Sequence, residues 1–310
     1  MQHDKVEFRQ KLDFGQLISY FFDFVKVNWK DFSNIFLRYN GWFMLIFIGL
    51  SYLMVSGYFG IISGIGIYTE NNNTDSYAAM AGFGVILYLL MLLLVGAVNY
   101  GLSSAYMSVY FNRDNTEIPI DGKEVWRLLK KRSGSLAVFM ILLVLLFIGW
   151  FILFVIVNFI PVLGFFVGYA ILFMLVAWAG VSCMAMIHKD LGPADALGVG
   201  WNLVMSSFWK CVGINFVMGL IIGFLRIAIL SIPMIIAGVV FYHAVNEQSA
   251  QMTDSIVTII WTLFLSIATL VSIYAQAISQ FMNAGLYLSL QETKTNTFLR
   301  TKIEQIGVGE

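Results

Sequence analysis

Charge is what this 310-residue sequence has little of: 12% of its residues are Asp, Glu, Lys or Arg, about half the share of a soluble domain. With 59% apolar residues and a mean hydropathy of +0.82, an ordinary water-soluble domain is excluded. Histidine occurs three times and cysteine twice, and no metal-ligand, nucleophile–base or phosphate-binding glycine motif can be assembled from them. Neither a cofactor nor an enzymatic activity is therefore expected. The first forty residues lack a short apolar core ending in a small-residue cleavage site, so the first span is expected to serve as an uncleaved anchor.

What is present is length without charge. Six apolar runs, residues 41–67, 78–111, 135–159, 162–187, 208–241 and 255–290, each reach the ~20 residues needed to cross about 30 Å of hydrocarbon. The expected fold class is an all-α integral membrane protein with six transmembrane helices, the longer ones tilting or projecting beyond the bilayer. Seventeen of the eighteen Lys and Arg fall in alternate connecting segments, and the opposite loops, "YTENNNTDSY", "NFIP" and "YHAVNEQSAQMTD", hold none. By the positive-inside rule both termini face the cytoplasm, and the expected location is a bacterial cytoplasmic membrane. Cys183 and Cys211 then sit near cytoplasmic helix ends, where a disulfide is not expected, and read as packing residues. The tripeptide at Asn72 fits a glycosylation pattern short enough to arise by chance.

Three amphipathic stretches precede the odd-numbered runs. Residues 14–30 place Phe14, Leu17, Ile18, Phe21, Phe22, Val25 and Trp29 on one face, with Gln16, Ser19, Asp23, Lys26 and Lys30 on the other. Residues 122–132 set Val125, Leu128 and Leu129 against Lys123, Arg127 and Lys130, and residues 193–207 carry Leu197, Trp201 and Val204, continued by Phe208. Such helices are expected to lie in the headgroup region. Pro193 and Asp195 suit a first helical turn, where proline's missing N–H costs nothing and a carboxylate meets the positive dipole end. The even-numbered runs end alike, in "NYGLSSAYMS", "AGVSCMAMI" and "NAGLYLSL". The chain, residues 1–310, thus reads as a single membrane domain of three repeated helical hairpins, each preceded by an interfacial helix, with residues 291–310 as a cytoplasmic tail. Three hairpins of one orientation weigh against the inverted-repeat transporter plan.

The stretch "IHKDLGPADALGVGWNLVMSSFWKCVGINFVMGLI", through Gly192, Pro193, Ala196, Leu197, Trp201, Leu203, Phe208 and Trp209, resembles a segment of the membrane domain found ahead of some bacterial glycerophosphodiester phosphodiesterases and of related six-span families. The opening "FGQLISYFFDFVKVNWKDF" is similar to that family's first helix. The resemblance implies a six-span membrane module; the soluble catalytic barrel that follows it in the phosphodiesterases is not matched here, and their hydrolase chemistry is not carried over.

The remaining candidates for chemistry are few. Arg226 is the one charge deep inside an apolar run, Lys210 standing at the start of the fifth; centrally placed it would cost roughly 2.5–3.5 kcal/mol, and it reads either as an anion or lipid contact or as a residue satisfied by snorkelling, by Glu247 or Asp254, or by backbone carbonyls and polar groups of the sixth span. Placed sixteen residues beyond Lys210, it is expected in the outer half of the bilayer. Asn99, Asn158, Asn215, Gln276, Gln280 and Asn283 are the strongest uncharged polar groups at membrane depth. Gln276, Gln280 and Asn283 share one helical face, which lines a polar cavity or makes interhelical hydrogen bonds, the latter being favoured. Ser56, Gly60 and Gly64, Gly164 and Gly168, and Gly219 and Gly223 give the small-residue spacing that permits close helix contact, within the chain or between chains. The short turn at Pro161 makes spans three and four antiparallel neighbours, and Pro233 is expected to bend or end a helix. Lys123, Arg127, Lys130, Lys131 and Arg132 are placed to meet anionic headgroups at about 1 kcal/mol each, and they equally serve topology. The favoured function is a non-enzymatic scaffold or partner subunit engaging membrane lipids, other membrane proteins or itself, with no nucleic acid; the alternative is a small transporter or lipid-handling permease using Arg226 and the polar face of the sixth span.

Overall fold

The computed structural model describes residues 6–65, 74–113, 119–160, 162–246, 255–296, 300 and 303. Expectations for His3, Asn72, Pro161, Glu247, Asp254 and most of the tail lie outside the described residues, as do the side chains of Gly64 and His243. Eight helices are found among the described residues: α1 (Phe14–Ile65), α2 (Thr74–Phe111), α3 (Gly122–Lys131), α4 (Ser133–Val157), α5 (Leu163–His188), α6 (Pro193–Ser206), α7 (Phe208–Asn246) and α8 (Ser255–Thr295). Six of them, α1, α2, α4, α5, α7 and α8, are long and apolar enough to cross a membrane. An apolar chain in hydrocarbon must satisfy its backbone internally, and a helix does so segment by segment.

Two features depart from expectation. The amphipathic stretch 14–30 and the first apolar run are one continuous helix, because nothing in the polar interval from Asp31 to Asn40 breaks it. At about 1.5 Å per residue α1 is about 78 Å long, and α2, α7 and α8, with 38, 39 and 41 residues, reach about 57–62 Å. All four exceed the ~30 Å of hydrocarbon, whereas α4 and α5 come close to it. Pro233 does not end α7, which runs on to Asn246.

The chain divides into two compact units. The first comprises residues 1–35, 97–221 and 276–310, and its centre is aromatic. Phe24 meets Tyr110 edge-on at 5.0 Å, Phe32 meets Phe281 at 4.5 Å, and Phe8 meets Phe111 at 5.9 Å. The buried face of α1 here is Leu17, Phe21, Phe24, Asn28, Phe32 and Ile35, at successive i+3 and i+4 positions. Phe14, Phe22 and Trp29, expected on that same face, are exposed. The apolar stripe is thus two stripes, one packed against protein and one open.

Local chemistry sets the helix starts. Asp13 and Gln16 form a reciprocal capping box, with Gln16 N–H donating to Asp13 Oδ1 (2.7 Å) and Asp13 N–H donating to Gln16 Oε1 (2.9 Å), which satisfies donors that the first turn leaves orphaned. Asp121 caps α3 through the N–H of Lys123, 2.9 Å away. Pro193 and Asp195 occupy the first turn of α6. Its buried face is Ala196, Gly200, Leu203 and Val204, while Trp201 is exposed. The hairpin of α4 and α5 closes on glycines: a Cβ at Gly164 would strike the Val157 carbonyl and one at Gly168 the Phe154 ring, while Trp150 Nε1 donates to the Gly168 carbonyl at 3.1 Å.

The second unit comprises residues 36–96 and 222–275, that is, stretches of α1, α2, α7 and α8. Phe36 meets Tyr274 at 4.8 Å and Phe47 meets Tyr88 at 5.3 Å, while Phe59 and Val257 are buried with Val55, Val240, Phe241 and Trp261 around them. Gly57 lies against the backbone of Ala81 and Gly60 against the Tyr77 ring, so these small residues serve contacts within the chain. Gly223 faces open space.

Candidate functional site

The polar residues of the first unit gather where α2, α5 and α8 are wholly buried. Gln280, with no exposed surface, donates from Nε2 to Ser104 Oγ (2.8 Å) and to the Gly180 carbonyl (2.9 Å). Ser104 Oγ in turn lies 3.6 Å from Cys183 Sγ. One helix is thereby tied to two others through a single amide. Gly180 makes this approach possible, because a Cβ there would lie 2.5 Å from Asn283 Cβ. Close contact at a small residue joined to a polar tie is a standard means of holding helices together where no hydrophobic drive is available.

Neighbouring bonds extend the set. Ser103 Oγ donates to the Ala277 carbonyl (2.9 Å), Tyr106 donates to Asn28 Oδ1 (3.1 Å), and Ser108 Oγ lies 3.2 Å from His188 Nδ1, with the Tyr287 ring 6.2 Å from the imidazole. None of these pairings was read from the sequence; the Ser-rich run after Asn99 is the signal that could have pointed to them. Asn99 and Asn283 are buried, and their side-chain amide atoms have no partner among the described residues. Asn215 is buried and donates to the Cys211 carbonyl one turn back (3.0 Å), Asn158 donates likewise to the Phe154 carbonyl (2.7 Å), and Gln276 is half-buried.

The basic cluster divides. Lys123, Arg127, Lys130 and Lys131 are exposed, whereas Arg132 is largely covered and ion-paired with Asp190, which also receives Lys131 at 3.4 Å. Asp190 occupies the tight turn after α5 with φ 62°, a conformation that Asp tolerates better than most residues. Lys210 is turned inward and donates from Nζ to the Leu12 carbonyl at 2.6 Å.

Arg226 belongs to the second unit. Its Nη2 donates to the Ser272 carbonyl (3.2 Å), and its Nε, with essentially no exposed surface, has no partner among the described residues. Arg226 lies midway along α7, which runs from Phe208 to Asn246. Elsewhere in this unit, hydroxyls line the buried face of α8 at Thr258, Thr262 and Thr269, the last paired with the Tyr88 hydroxyl.

The architecture is that of an all-helical chain with six helices able to cross a membrane, consistent with a multi-pass membrane protein. No family model, curated protein or solved structure matches the chain.

Proposed function

We propose that this chain is a non-enzymatic multi-pass membrane protein of a bacterial cytoplasmic membrane, acting as a scaffold or partner subunit that engages lipid at its cytoplasmic face. The observation that carries the reading is the placement of Gln280. The polar side chain best placed to line a substrate path is instead fully buried and bonded to two other helices. The exposed face of α3 is by contrast mostly basic, with Lys123, Arg127, Lys130 and Lys131 beside a single acid, Glu124, and exposed aromatic residues occur at Phe14, Phe22, Trp29, Trp201 and Trp209. Aromatic and cationic residues together suit a membrane–water interface.

The repeat of three hairpins, each with its interfacial helix, belongs to the same proposal. Its support is a cyclic set of contacts at the exit glycines. Gly101 lies against Leu129 and Leu136, Gly180 against Asn283, and Gly285 against Phe8. The glycines of the first two copies each meet the next copy, and the third meets Phe8, in the segment leading into the first. A relationship to the phosphodiesterase-associated membrane modules remains part of this proposal on the strength of the Gly192–Trp209 motif.

Purification with native lipids, followed by mass spectrometry, tests the function. A scaffold or subunit is expected to carry a stoichiometric membrane partner or a second copy of itself and to enrich anionic lipid, the enrichment falling when Lys123, Arg127 and Lys130 are changed to Gln. Recovery of the protein always alone, with lipid composition matching the bulk membrane, would overturn the proposal. The alternative, a small transporter or lipid-handling permease, is favoured by one observation, the unpartnered Nε of Arg226, and requires solute or lipid movement in reconstituted vesicles.

A further inference from the structure

Arg226 presents a shortage of acceptors. A guanidinium carries five N–H donors and stays charged at any accessible pH. The described structure gives it one acceptor, the Ser272 carbonyl. Among the described residues of its unit the acid present is Asp75, in the first turn of α2, and no ion pair reaches Arg226. The helix ends on either side of residues 247–254, which include Glu247 and Asp254, are remote. Asn246 lies about 30 Å from Arg226 along α7, and Ser255 lies about 26 Å from Ser272 along α8. Lys210 and Tyr242 each stand sixteen residues away on the same helix, about 24 Å in either direction, so Arg226 sits deep within the apolar stretch of α7.

Its surroundings are apolar and open. Phe224, Leu225, Ile227 and Ile229 flank it, all more than half exposed, and Gly223 leaves free space one turn before it. Arg226 itself is only partly covered. A fixed charge with unused donors, no counter-charge among the described residues and an approach from the apolar side is arranged for an anion supplied from outside.

We propose that Arg226 is the binding residue of an oxyanion site in the second unit, taking a phosphate group carried by a lipid headgroup or free in solution. Guanidinium matches that group because its planar fork presents parallel N–H donors to two oxygens. The site is independent of the lipid contacts assigned to the basic α3 surface, and it stands whether or not the bound group is moved across the membrane.

The full chain is held in dodecyl maltoside micelles, which carry no phosphate, in the same micelles with added phosphatidylglycerol, and in the same micelles with added inorganic phosphate. Thermal unfolding and native mass spectrometry are read for wild type, Arg226→Lys and Arg226→Leu. Wild type is expected to unfold at a higher temperature with one of the two phosphate probes, which names the source, and to retain that probe about tenfold better than Arg226→Leu. Arg226→Lys retains part of the shift. In plain dodecyl maltoside Arg226→Leu is expected to be at least as stable as wild type, since it removes an uncompensated charge. Equal shifts in wild type and Arg226→Leu, no shift in wild type with either probe, or a less stable Arg226→Leu with its shift intact would each overturn the site and leave Arg226 a structural donor to Ser272. Neither these shifts nor the site bears on lipid enrichment by Lys123, Arg127 and Lys130, so failure here is distinct from failure there.

Discussion

Gln280 and Gly180 are 100 residues apart in the chain and 2.9 Å apart in the fold, the side-chain amide of one donating to the backbone carbonyl of the other. The bond needs a polar residue on α8 and a residue without a side chain on α5, and each would be a weakness alone. A buried amide without a partner is costly in an apolar interior, and a glycine lowers helix stability by about 1 kcal/mol relative to alanine. Together they let α5 and α8 approach and give the amide somewhere to donate.

Replacing Gln280 with Leu therefore removes two interhelical bonds at a site of similar volume. Such bonds average about 0.6 kcal/mol in membrane proteins and reach about 1.7, so a destabilisation of about 1–2 kcal/mol is expected. Gln276→Leu, on the same face but half-buried, is expected to cost less than about 0.5 kcal/mol. Equilibrium unfolding in mixed micelles measures both; equal effects would mean that the Gln280 bonds contribute nothing specific.

Glycines on packed and open faces are expected to respond with opposite signs. Gly180→Ala drives a methyl group into Asn283 and should destabilise by about 1–3 kcal/mol. Gly149→Ala, in α4, meets nothing within 4 Å and should gain about 0.5–1 kcal/mol from helix propensity. The same unfolding assay compares them, and a stabilising Gly180→Ala would show that α5 and α8 are not in contact there.

Much of this was legible in the sequence for a simple physical reason. A span has to be apolar for about 20 residues, so all six long helices, and the start of α6 at Pro193, stand out without any knowledge of contacts. The faces of α1 were not legible. Leu17, Phe21 and Phe24 pack against protein while Phe14, Phe22 and Trp29 stay open, yet both sets are apolar and helically spaced, and lipid attracts such side chains as well as protein does. Continuity from residue 30 to 41 was hidden too, because polar residues end an apolar run without ending a helix. The polar stripe of α8 was readable, whereas its partners Ser104 and Gly180, on other helices, were not. Asp13-x-x-Gln16 is the case where a known local signal was present and went unread.

That capping box carries its own prediction. Asp13→Ala removes the acceptor for Gln16 N–H, and loss of a cap of this kind costs about 0.5–2 kcal/mol. Since the preceding strand of chain is held by Lys210 at Leu12 and by Ser289 Oγ at the Leu12 N–H, fraying should stay local. Hydrogen exchange is expected to speed up at residues 14–17 while the amides around Phe24 keep their protection. Acceleration throughout the first half of α1 would mean that the cap, and not the aromatic packing, holds that segment.

The orientation proposed from the distribution of Lys and Arg is open to thiol chemistry, and the native cysteines make the experiment clean. Cys183 and Cys211 are fully buried, so a membrane-impermeant maleimide should label the folded wild-type protein in neither intact cells nor inverted vesicles, and should label both thiols after denaturation. Lys130 is exposed on α3, and Lys130→Cys is then a single reporter on a silent background. With α3 on the cytoplasmic side it reacts in inverted vesicles and stays unlabelled in intact cells. Labelling from outside would invert the topology, move the basic surface away from the leaflet proposed to attract it, and remove the charge argument for lipid engagement with it. Labelling of the folded wild-type chain would instead locate the error in the packing of α5 and α7, because only an opening there exposes either thiol.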